Sequence, residues 1–121
     1  MVLADTSVWI EHFRRGEPRL ASLLTDGHVL MHPFVLGELA CGNLKNRARV
    51  LDDLQTLPSA KLASTMEALR LIEDRKLYRR GLGWIDVHLL ASALVSGCEL
   101  WTRDKRLADG AAKLGLNPRP G

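Results

Sequence analysis

The apolar positions of this chain follow two rhythms. Val2 to Ala4 is a short unbroken apolar run with no polar face, the pattern of a strand buried on both sides in a parallel sheet, and "HVLMHP", closed by Pro33, and "CELWT" also read as short strands. Between them the spacing is helical. Val8, Trp9, Ile10 and Phe13 share one face of a helix over Thr6 to Arg15 that Gly16 stops, and a weaker helix covers Leu20 to Leu24. "FVLGELACGNL" is helical up to Gly42 and Asn43, and Asn46 to Leu57 is helical until Pro58 interrupts it. "AKLAS" reads as a short edge strand. Ser64 and Glu67 form a capping-box pattern that opens a helix running to about Tyr78, and "RRGLG" is a basic loop. "WIDVHLLASALVSG" is a strong helix with a glycine terminator, a last helix runs through about Leu114, and "GLNPRPG" holds at most a short strand.

Strands alternating with helices predict an α/β fold with a mostly parallel sheet. The 121 residues allow one core, so a single domain over residues 1–121 is expected. Hydrophobic residues at 46% and charged residues at 26% exclude a disordered chain. No run approaches the roughly 20 apolar residues of a membrane span, and no signal-peptide pattern opens the chain, so no membrane partner and a cytoplasmic location are expected. Cys41 and Cys98 have no metal-ligand or redox spacing and read as two buried reduced thiols.

The candidate chemistry lies in four acids. Asp5 follows the first strand and Asp104 follows "CELWT", so both are expected at the carboxyl edge of the sheet, where open α/β sheets place their reactive crevice. Glu38 shares a helix face with Phe34, Cys41 and Gly42, and Asp86 heads the stripe Leu89, Leu90, Ala93 and Leu94. Each also has a plain structural role: capping for Asp5, Asp86 and Asp104, an ion pair or a partly exposed position for Glu38. Taken together, converging carboxylates repel and are costly to desolvate, and a divalent cation with hard oxygen ligands relieves both costs. This points to Mg²⁺ or Mn²⁺. His12, His28, His32 and His88 are scattered, without the spacing of a zinc site.

Charge adds a substrate class. The net charge is +3, and with the four acids set aside the rest of the chain carries +7, which suits a phosphate-rich partner. Arg79, Arg80, Arg103 and Lys105 are candidates for holding a nucleic-acid backbone.

The stretches "LADTSVWI", "GELACG", "GLGWIDVHLLASAL" and "LWTRDKRL", in this order and at these separations, resemble the PIN-domain ribonucleases, and more narrowly the VapC toxins of type II VapBC toxin–antitoxin pairs. The resemblance implies a PIN-like domain with a central sheet of four to five mostly parallel strands flanked by helices. It implies that Asp5, Glu38, Asp86 and Asp104 are catalytic and bind Mg²⁺ or Mn²⁺, with Thr102 and Ser7 in support. It also implies an RNA substrate, a homodimer, and a VapB-like antitoxin through which the complex binds operator DNA. The antitoxin's C-terminal segment would use an apolar groove near Trp9, Ile10 and Phe13, although core packing is the expected role of at least two of these three. The clipped "GLNPRPG" ending departs from the pattern and bears on the last strand only.

Two other readings compete. An aspartyl phosphatase of the haloacid-dehalogenase type would need an acid two residues after Asp5, where Ser7 stands. A noncatalytic PIN-like RNA- or protein-binding module would keep the basic surface without needing all four acids.

Overall fold

The computed structural model describes residues 1–117. Strand β1 (Val2–Ala4) leads into α1 (Thr6–Arg15) and α2 (Pro18–Thr25); β2 (Val29–Leu30) leads into α3 (Pro33–Cys41) and α4 (Arg47–Gln55). Helices α5 (Thr65–Asp74) and α6 (Trp84–Ser96) precede β3 (Glu99–Trp101), and α7 (Lys105–Lys113) closes the order. The strands form a parallel sheet in the order β2-β1-β3, with Leu3 opposite Leu30 on one side and Leu100 on the other. A central strand has no solvent face, which is why Leu3 and Ala4 are fully buried and the opening run is apolar throughout. Helix α6 packs on β3 and against α5 and α7, and seven of its residues from Val87 to Ala93 are buried.

The sheet is narrower than the expected four to five strands: three are present among the described residues. "AKLAS" forms no strand. The only pairing there is a parallel bridge of Met31 with Ser59, in which the Met31 N–H donates to the Pro58 carbonyl at 2.8 Å and the Ala60 N–H to the Met31 carbonyl at 2.9 Å. The next N–H, of Lys61, donates instead to the Ser96 hydroxyl at 2.8 Å, which draws the chain off the sheet edge after one bridge. On the other edge the Leu100 N–H donates to the Leu116 carbonyl at 2.8 Å, so the segment after α7 meets β3 without forming a strand among the described residues. Residues 118–121 of "GLNPRPG" lie outside them.

Helix α5 opens on the expected capping box, with the Glu67 N–H donating to the Ser64 hydroxyl at 3.1 Å and the Ser64 N–H to the Glu67 carboxylate at 2.9 Å. It ends at Asp74, short of Tyr78. Leu77 is 2% exposed, and the chain reaches that buried position by leaving the helix through Lys76 at φ 53°.

Strand-to-helix order then places the helix starts. Helices α1, α3 and α7 begin directly after β1, β2 and β3, so their N-termini gather at one edge of the sheet. The start of α6 is brought beside α7 by the loop before it: a Cβ added to Gly81 would stand 2.7 Å from Cδ of Arg106, in the first turn of α7.

Candidate active site

Asp5 is the centre of this edge. It is buried at 7% exposure and caps α1, and four donors converge on its carboxylate. Oδ1 accepts from the Ser7 N–H at 3.0 Å, the Ser7 hydroxyl at 2.5 Å and the Val8 N–H at 3.3 Å, and Oδ2 accepts from the Thr102 hydroxyl at 2.6 Å. Burial nonetheless pushes the Asp5 carboxyl above its ordinary range, against the opposing pull of Ser7, Thr102 and the backbone N–H groups. The same hydroxyls reach the β3 side: Ser7 Oγ accepts from the Arg103 N–H at 2.9 Å, and Thr102 Oγ1 accepts from the Asp104 N–H at 2.9 Å. Ser7 and Thr102 thus tie the start of α1 to the turn before α7.

Asp104 is exposed and caps α7, its Oδ1 accepting from the Arg106 and Leu107 N–H groups at 2.9 and 3.1 Å. Asp86 is half-buried, and its Oδ2 accepts from the Gly83 N–H at 2.9 Å at the start of α6. Glu38 does not look inward as its apolar helix face implied. It is exposed, accepts from the Thr6 hydroxyl at 2.6 Å, and stands on the wall of a cleft of about 570 Å³ with Ile10, Phe13, Arg14, Leu39 and Lys45. Of the three residues proposed for an apolar groove only Trp9 belongs to the core, whereas Ile10 and Phe13 are 46% and 39% exposed and line that cleft.

Each of the four acids accepts a capping or side-chain hydrogen bond while standing at a helix start or on the cleft wall. No three His, Cys, Asp or Glu side chains stand close enough together to hold a metal ion among the described residues. The donor set still fits a hard cation. Every acid here offers carboxylate oxygen and no thiolate, and Asp5, with its charge disfavoured by burial and no cationic side chain among its hydrogen-bond partners, gains most from a positive neighbour.

Arg79, Arg80, Arg103 and Lys105 are all exposed, and Arg80 Nε donates to the Lys76 carbonyl at 3.1 Å. Two contributors escaped the sequence. Thr6 orients Glu38 across 32 positions, for which no local signal exists. Two of the four histidines, His32 and His88, are buried and are linked through Phe34 in a ring cluster completed by Trp84, although no metal-ligating group forms among the described residues. The Trp84–His88 spacing of four was a visible hint.

Residues 2–113 match the PIN domain model, and the chain belongs to the PIN domain family. More narrowly it is similar to the VapC ribonucleases: it is 50% identical over 117 residues to "Ribonuclease VapC32" of Mycobacterium tuberculosis, in strains CDC 1551 / Oshkosh and ATCC 25618 / H37Rv, covering 96% of this chain and 94% of each relative. Among solved structures it resembles that of PAE2754 from Pyrobaculum aerophilum, with a TM-score of 0.60 at 16% identity over 95% of this chain and 88% of the other, a likeness of fold. The resemblance read from "LADTSVWI", "GELACG", "GLGWIDVHLLASAL" and "LWTRDKRL" is thereby borne out. No helix among the described residues is long and apolar enough to cross a membrane.

Proposed function

We propose that this chain, acting as one PIN domain, is a metal-dependent endoribonuclease and the toxin half of a type II toxin–antitoxin pair. The observation that carries the reading is Asp5: a buried carboxylate at the C-terminal end of the central strand, held by four donors and linked through Thr102 to Asp104, in a chain half identical to a named ribonuclease.

Asp5, Glu38, Asp86 and Asp104 would hold Mg²⁺ or Mn²⁺. When bound, such an ion polarises the phosphoryl group and acidifies water. The chain's own part is positional. Ser7 and Thr102 fix the rotamer of Asp5, Thr6 fixes Glu38, and the capping bonds fix Asp86 and Asp104. Arg79, Arg80, Arg103 and Lys105 hold the RNA backbone, aided by the positive ends of four helices at this edge. Water attacks phosphorus in line with the departing 3′ oxygen, giving a 5′-phosphate and a 3′-hydroxyl. The cleft beside Glu38, with Ile10 and Phe13 on its wall, suits the apolar segment of a VapB-like antitoxin. A homodimer, operator binding through the antitoxin and a cytoplasmic location complete the reading.

A noncatalytic PIN-like binding module is the second reading, favoured by the lack of any three gathered metal-ligating side chains among the described residues. Cleavage of end-labelled RNA by the purified protein, with Mn²⁺ or Mg²⁺, with chelator, and by Asp5→Ala, separates the two. Discrete cuts that require both the metal and Asp5 support the enzyme. Cutting that survives chelation or the substitution, or none from antitoxin-free protein, favours the module.

A further inference from the structure

Four rings meet where α3 and α6 begin. The centroids of His32 and Phe34 lie 5.0 Å apart, those of Phe34 and His88 5.2 Å, and those of His88 and Trp84 4.5 Å. His88 meets both Phe34 and Trp84 edge to face, at 73° and 85°. The two histidines are buried, yet the outer members Phe34 and Trp84 remain 37% and 42% exposed. Rings fixed by a buried neighbour have already lost rotamer freedom, so a ligand that stacks on them has little further ordering to overcome.

Their surroundings say what that ligand is. Phe34 lies one turn before Glu38 on α3, and Trp84 lies two residues before Asp86 on α6. Trp84 also ends the loop that carries Arg79 and Arg80, beyond which Tyr78 is 48% exposed. Exposed aromatic faces interleaved with cations are what a single-stranded nucleic acid requires: the cations meet phosphates and each ring takes a base. A duplex cannot use them, because its bases are already stacked and paired.

We propose that Phe34 and Trp84, braced by His88, form a stacking platform that seats unpaired RNA bases next to the acidic edge. This rests on the ribonuclease reading and adds a specificity element to it.

The test is binding, measured by fluorescence anisotropy with the full chain carrying Asp5→Asn to prevent cutting. The probes are a labelled single-stranded RNA, a duplex of the same length, and a single strand of the same length with abasic positions. Trp84→Leu and Phe34→Leu should each weaken binding of the intact strand on the order of tenfold, as loss of one stacked base does. Both should leave the abasic and duplex probes within twofold, and Trp84→Phe should restore most of the loss. Intact-strand binding by both leucine variants within twofold of the parent overturns the platform. So does a parent that binds abasic and intact strands equally, which decides the matter even if a variant fails to fold. Unchanged RNA binding combined with lost capture of a protein partner assigns the rings to a protein interface and also overturns it. Because binding is read without cleavage, a parent that prefers unpaired bases yet never cuts RNA in its Asp5 form refutes the nuclease reading alone.

Discussion

The Thr102 hydroxyl donates to Oδ2 of Asp5 at 2.6 Å and accepts from the Asp104 N–H at 2.9 Å, so one side chain spans two acids that lie 99 positions apart in the sequence. Thr102→Val keeps the shape and removes both bonds. A buried acceptor and a backbone donor then go unmet, which should destabilise the fold by about 1–3 kcal/mol. Ribonuclease activity should fall further than stability alone explains. Thr102→Ser, which retains the hydroxyl, should recover most of both; chemical denaturation paired with a cleavage assay reads the two effects.

Asp5→Asn should abolish activity without unfolding the protein. Asparagine is an equally good N-cap, and its oxygen still accepts from Ser7 and Val8. The Asp5 carboxyl sits above its ordinary range because burial disfavours its charge, so the wild type pays a stability penalty for that charge above the raised pKa, relieved as pH falls toward 3.8. At neutral pH the variant should therefore melt at or above the wild-type temperature, and Mn²⁺ should raise the wild-type melting temperature by several degrees while leaving the variant unmoved. A variant that melts well below the wild type would contradict the assignment of the charge as a structural cost.

His32 makes stability depend on pH. Burial, together with repulsion from His88, lowers its pKa from 6.5 to about 4. Above pH 6.5 the ring is neutral in both folded and unfolded chains and its contribution is complete. As pH falls toward 4 only the unfolded chain takes up the proton, so stability drops, by about 2 kcal/mol at pH 5 and about 3 kcal/mol at full protonation. His32→Asn keeps a capping side chain for the Phe34 N–H, which His32 now holds at 3.0 Å, and should flatten this slope in denaturation curves at pH 7 and pH 5.

Gly81 and Gly27 separate backbone strain from contact. Both have positive φ, 75° and 71°, but an added Cβ meets nothing within 4 Å at Gly27 and Arg106 Cδ at 2.7 Å at Gly81. Gly27→Ala should cost about 1 kcal/mol through strain alone. Gly81→Ala should cost about as much, because the Arg106 Cδ it meets belongs to a flexible side chain that can swing aside, and chemical denaturation of the two variants compares the costs.

The features legible in residue order were local. An apolar run of strand length, a helical spacing, a capping box at Ser64 and Glu67 and an Asp after each of two strands depend on neighbours a few positions away, and such patterns are written directly in residue order. The positions of β1, α1, α6 and Asp5 were legible for that reason. Tertiary structure decided the rest. "AKLAS" left the sheet because the Lys61 N–H found Ser96, 35 positions away, and α5 stopped at Asp74 because Leu77 had a core to enter. Glu38 became exposed because α3 turned its apolar stripe, not its acid, toward the core. Thr6 met Glu38, Thr102 met Asp5, and His32 met His88 through Phe34 only once parallel strands carried distant helix starts to one edge. Periodicity assigns a residue to a face, but what that face meets is set by how the elements pack, and packing is decided by the whole chain at once.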